Sequence, residues 1–222
     1  MRTTLQTASI LIALLAAIAT GSAATQSNSP AAGNSPGVDM GAISQKLGQE
    51  TLSLRQQALD ATTRLDALEK SLADGQRNTE QATATVDELL KLLRGLAARL
   101  SKDGQYAQLV NAEKNTITNI GDRATAHPNP KVRDLAPWYQ AKADNLSQDL
   151  SDAEQLRTKL LAEIDRLEKE KDVLSFTIAA TNIEAFIKDA RDYLDILSNL
   201  AATTKGLADD IGNAFGTTTP TQ

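Results

Sequence analysis

The chain lacks cysteine altogether, has one histidine and one tryptophan among its 222 residues, and only 3% of it is aromatic. Without cysteine there are no disulfide staples, no thiol chemistry and no lipid attached at a cysteine. The lone His127 rules out carboxylate-bridged di-iron bundles, which need a Glu-x-x-His pair on each of two helices. It also leaves serine or cysteine nucleophile mechanisms without a recognisable local base. The twelve glycines are scattered among caps and linkers and form no phosphate-binding loop. These absences predict a protein that is not an enzyme, with no catalytic, cofactor-binding or metal residues and no evident small-molecule substrate.

Scarce aromatics also restrict the kind of core. Apolar residues still make up 41% of the chain, so burial rests on Leu, Ile and Ala, which suit narrow helix-helix seams. A formal net charge of -5 gives no electrostatic reason to bind nucleic acid or anionic lipid. Residues 41–104 carry nine basic and nine acidic side chains, whereas residues 137–216 carry nine and fifteen, so the acidic excess is C-terminal. A solvated helix face accounts for it, and a basic partner surface is the sharper alternative. Glu168, Glu170 and Asp172 are likewise a solvated face, because Lys169 and Lys171 intervene and Asp165 stands four residues before Lys169. Asn145, Leu146 and Ser147 match an N-glycosylation sequon, which matters only in a eukaryotic secretory pathway.

Residues 1–24 are expected to be a signal peptide. Arg2 supplies the positive start, Ala8 to Ala19 the apolar core, and Ser22 and Ala24 the small residues before a cut after Ala24. The apolar core is well short of the roughly 20 residues that span a bilayer, so the membrane is a partner only if this segment stays uncleaved. Export places the mature chain in the periplasm or outside the cell. Residues 25–40, rich in Ser, Asn, Gly and Pro, form a flexible linker.

Heptads dominate the remainder, and residues 41–206 are expected to be an all-α coiled-coil domain. Leu47, Thr51, Leu54, Ala58, Ala61, Leu65, Leu68 and Leu72 follow alternating steps of four and three, and Val86, Leu89, Leu93, Leu96 and Leu100 continue them in phase beyond Gly75. An in-phase repeat predicts one helix over 41–102, about 90 Å long at about 1.5 Å per residue. Lys102, Asp103 and Gly104 mark its end, with Gly104 able to take a left-handed cap. Tyr106, Leu109, Val110, Ile117 and Ile120 line a shorter helix that stops at His127-Pro128-Asn129-Pro130. A third helix starts at Pro137 and runs toward Thr204 with the seam Leu146, Leu150, Ala153, Leu156, Leu160, Ile164 and Leu167, then Leu174, Ile178, Ile183, Ile187, Ala190, Leu194 and Leu197.

Thr181 and Glu184 have capping-box spacing, a possible restart within that helix, and Lys205 with Gly206 mark its end. Residues 207–222 are then a short amphipathic tail and a disordered C-terminus. The expected architecture is an elongated antiparallel coiled-coil hairpin of two long helices plus one short helix. A helical bundle is the alternative if both Gly75 and Thr181 are breaks. On this register Leu96 is a seam residue, and Arg99 is off the seam and tolerant of replacement.

One cluster stands apart: His127, Trp138 and Tyr139 lie in a proline-rich stretch holding the only histidine and the only tryptophan. They either plug the place where helices converge or form a partner-binding tip, since rigid aromatics make good interface anchors. The resulting expectation is an exported structural or interaction protein of the bacterial envelope, a scaffold or spacer with a protein partner or self-association through its seams. The alternatives are an extracytoplasmic component of a secretion, conjugation or surface-appendage machine, and a periplasmic holdase chaperone.

Overall fold

A computed structural model describes residues 39–73, 79–171 and 179–215, with side chains omitted at 72–73, 79–83, 170–171 and 179–182. The signal-peptide expectation, residues 25–38 of the expected linker, Gly75, Leu174, Ile178 and residues 216–222 of the expected C-terminal tail lie outside the described residues, while the last two linker positions, Asp39 and Met40, belong to the start of the first helix. Among the described residues the fold is all-α, helices joined by short turns without strands: α1 (Met40–Ala73), α2 (Thr79–Arg99), α3 (Gln105–Thr125), α4 (Pro130–Arg133), α5 (Ala136–Lys171) and α6 (Ala179–Phe215). No described helix is long and apolar enough to cross a membrane.

The helices begin and end for local reasons. Asp39 opens α1, its carboxylate accepting from the Ala42 N–H at 3.1 Å, which satisfies one of the orphan donors of the first turn. Between α2 and α3 the Gly104 N–H donates to the Ser101 carbonyl at 2.8 Å. A side chain at Gly104 would collide with the carbonyl oxygens of Ala98 and Arg99, so close approach, and not a left-handed backbone, demands glycine there. Pro130 does not simply stop a helix. It stands at the start of the one-turn α4, where its missing N–H costs nothing, and Asn129 caps that turn by accepting from the Lys131 N–H at 3.0 Å.

The seam register holds wherever side chains are described. Leu47, Leu54, Leu65, Leu68, Leu89, Leu93, Leu96, Leu160 and Leu197 have no exposed surface, and of the expected seam only Leu150 is half-buried. What changes is the path of the chain. In one straight helix Glu50 and Arg99, 49 residues apart, would be separated by about 73 Å. Instead Arg99 Nη2 lies 2.7 Å from Glu50 Oε2, so α2 runs back antiparallel to α1. Arg64 and Glu88 pair farther along the same two helices.

The second long segment reverses too. Arg166 Nη1 is 3.2 Å from Asp189 Oδ2, and the Thr204 hydroxyl donates to Asp149 Oδ2, 55 positions away, at 2.7 Å. Thr181 lies inside α6 and does not start a helix. Each expected rod is therefore a pair of antiparallel helices. A heptad in phase on both sides of a gap is compatible with either path, because a returning arm turns the same leucine stripe inward.

The chain divides into two units. The larger comprises Gln49–Gln108 and Gln148–Lys205. In it α1 pairs with α2, α5 with α6, α1 with α6 through Arg191 to Asp66 (2.7 Å) and Glu69 (2.8 Å), and α2 with α5 through Arg94 and Glu168. That ring of neighbours is a four-helix bundle whose interior is the leucine seam plus Phe186.

The other unit takes its described residues from Met1–Gly48, Leu109–Ser147 and Gly206–Gln222. Its core is Leu47 of α1, Val110 and Ile117 of α3, Tyr139 and Leu146 of α5, and Ile211 of α6. α6 does not end at Lys205 and Gly206 as the sequence suggested. It continues to Phe215 because Leu207, Ala208 and Ile211 carry the apolar stripe onward and are buried, which outweighs the cost of about 1 kcal/mol for glycine in a helix.

Candidate functional site

The aromatic cluster occupies the start of α5 in the smaller unit. Arg133 fixes the approach to it, its guanidinium donating to the carbonyls of His127 and Pro128, both at 2.9 Å. His127 is half-buried, and its Nδ1 accepts from the Asn129 N–H at 3.1 Å, so the imidazole is committed to shaping this turn. Two aromatic residues follow on adjacent positions of α5 and therefore face different ways. Tyr139 points inward and is 1% exposed, whereas Trp138 is half-buried.

Their surroundings make Trp138 a rigid surface feature. Its ring meets that of Tyr139 edge-on, with centroids 5.2 Å apart and planes at 82°, a favoured aromatic geometry. Behind it the Tyr139 ring packs 6.4 Å from Phe215 near the end of α6. Gly121 of α3 permits this packing, since a methyl group there would lie 3.1 Å from the Tyr139 Cβ. Lys142, one turn along α5, places its ammonium 5.5 Å from the centre of the Trp138 ring while pairing with Asp210 at 2.9 Å.

The structure thus joins Trp138 to Tyr139 directly and gives His127 a separate task in the preceding turn. Lys142, Phe215 and Gly121 were not among the sequence candidates. Only Lys142 left a signal, its position four residues after the tryptophan.

No protein-family model, no curated protein and no solved structure matches this chain.

A second constellation lies within the four-helix unit. Tyr106, fully buried, shares a 2.9 Å hydrogen bond with the Thr204 hydroxyl, which donates in turn to Asp149. Burial pushes the Tyr106 phenol well above its usual range, which keeps it neutral and suited to donating. Burial also pushes the pKa of Asp149 above the usual carboxylate value, the Thr204 hydrogen bond opposes this, and the nearby Asp152 adds to it. Asp149 and Asp152 open onto a shallow groove of about 310 Å³ between α5 and α6, with Leu156, Ile196 and Leu200 along its apolar side. This chain of hydroxyls ties α3 to α5 and α6 through partnered polar groups, each of which would be costly to leave unpaired. Among the described residues no group of three or more His, Asp or Glu side chains could hold a metal ion.

Proposed function

We propose that this chain is an exported, non-enzymatic structural and interaction protein of the bacterial envelope, a scaffold or spacer that meets a protein partner at Trp138. The observation that carries this reading is the mounting of that side chain: half-exposed, braced edge-on by buried Tyr139 and flanked by the Lys142 ammonium. An aromatic held in one orientation loses little conformational freedom on binding, which is why such residues dominate interface energetics. The seams are poorer candidates for association. Leu54, Leu65, Leu96 and Leu160 have no exposed area left to offer another chain.

The test is a photoreactive amino acid at Ala141, exposed on the turn beside Trp138, introduced into the full-length protein in living cells. A discrete crosslinked partner in the periplasmic fraction, lost in Trp138→Ala, is expected, with mature protein beginning near Thr25. Crosslinks indifferent to Trp138→Ala would overturn the partner site, and mature protein that retains Met1 in membranes would overturn the export.

A further inference from the structure

Glu113 is an anomaly of the smaller unit. It falls in phase with Tyr106, Val110, Ile117 and Ile120, at a position where a heptad puts an apolar side chain, and it has no exposed surface. Ser44 of α1, in phase with Leu47, Thr51 and Leu54, supplies the hydrogen bond to it that the structure records, its Oγ lying 2.5 Å from Glu113 Oε1. The second carboxyl oxygen, Oε2, is buried with no hydrogen-bond partner among the described residues. A carboxylate in such a place keeps a full charge against apolar walls with half its acceptors unused, which is costly.

The other described elements of the unit do not relieve it. α5 turns Ala143 and Leu146 inward, and α6 turns Leu207, Ala208 and Ile211 inward. The charged residues of these helices are occupied or at the surface: Lys142 pairs with Asp210, Asp144 and Asp209 are exposed, and Lys46 of α1 is exposed. On α3 itself Lys114 is half-buried, one position away and so on a different face. Two influences act on the pKa of Glu113: burial raises it and the Ser44 hydrogen bond lowers it, with burial prevailing to leave it at about 6.

We propose that Glu113 is a pH-sensitive latch between α1 and α3, closed while the buried carboxyl is neutral and loosened when it ionises. The Ser44 hydrogen bond, although it favours the charged form, does not offset the cost of a buried charge at Oε2. In the neutral acid either hydroxyl proton can serve the Ser44 contact, and the interior holds no net charge. Ionisation leaves Oε2 negative and without a donor among the described residues, so the favoured response is to separate the helices and admit water. Folding raises the pKa of this acid, so the native state holds the proton more tightly than the unfolded one. Stability from this site is accordingly greatest in acid and falls as pH rises from the unfolded value of 4.5 through about 6. An exported protein would meet that range directly, although the latch does not depend on where the chain resides.

The experiment is amide hydrogen exchange of the full chain at pH 5 and 7.5, corrected for intrinsic rates and read for the Ser44 and Glu113 segments. From the two pKa values the opening equilibrium of these segments should rise by roughly tenfold between the two pH values. Glu113→Gln, a permanent stand-in for the neutral acid, should abolish the rise. Ser44→Ala, which removes the bond favouring the charged form, should move the midpoint to higher pH. Should a variant fail to fold, the carboxyl carbon of Glu113 can be titrated by NMR in the wild-type chain. A midpoint near 4.5, or an unchanged rise in Glu113→Gln, would overturn the proposal.

Discussion

Arg99 should be one of the most sensitive positions on the surface of α2, although the heptad register places it off the seam. Its Nε lies 2.8 Å from Glu50 Oε1, its Nη2 2.7 Å from Glu50 Oε2, and its Nη1 3.1 Å from the Ser53 hydroxyl, a two-pronged contact across the α1–α2 pair. The Glu50 side chain is 3% exposed and that of Arg99 is 19% exposed, so solvent screens the pair little. Truncation to Arg99→Ala strands a buried carboxylate, a loss of about 3 to 5 kcal/mol where the charge cannot reach water. The partial exposure of Arg99 argues for the lower figure.

At about 2 to 4 °C per kcal/mol for a chain of this size, 3 kcal/mol lowers the melting temperature by roughly 6 to 12 °C. Thermal unfolding followed by circular dichroism at neutral pH is the assay. The double replacement Glu50→Leu with Arg99→Met should recover most of the loss, because an apolar pair of similar volume often equals a buried ion pair. If Arg99→Ala melts within about 1 °C of wild type, as a free surface arginine would, then α1 and α2 do not fold back on one another and the single-helix reading returns.

Further outcomes follow from the two cores. Leu96→Ala, at a fully buried seam position, should cost about 2 to 5 kcal/mol in urea unfolding, whereas replacing the half-exposed Leu59 should change stability by less than about 0.5 kcal/mol. Tyr139→Phe removes a buried hydroxyl that has no hydrogen-bond partner among the described residues, so the melting temperature should hold or rise; a clear fall would mean the hydroxyl is satisfied in solution. Thr204→Val should be destabilising by about 1 to 3 kcal/mol, since it unpairs both Tyr106 and Asp149, and adding Tyr106→Phe should cost much less than the sum of the two changes.

The same particulars separate what was legible from what was not. Of the candidate site, Tyr139 proved to be the plug and Trp138 the outward face. Neighbouring positions on a helix must diverge, but which one turns inward was set by Gly121 on α3 and Phe215 at the end of α6. Glu113 and Ser44 could have been found from their phase with the leucines. Lys142 and Phe215 owe their roles to neighbours brought close only by folding.

By itself the sequence determined the helical class and which of the described side chains turn inward, from Leu47 to Leu68, Val86 to Leu100, Ala153 to Leu167 and Ile183 to Leu197, because a 3.5-residue repeat defines a buried stripe whatever covers it. It also located the turn at Gly104, where two carbonyl oxygens leave no room for a side chain. Tertiary structure alone decided that α2 returns along α1 and α6 along α5, that Arg99 answers Glu50, and that α6 continues past Gly206. Periodicity names the face of a helix that seeks cover, but the identity of the cover depends on chain reversals and on contacts such as Tyr106 to Thr204, 98 positions apart, to which a local repeat is blind.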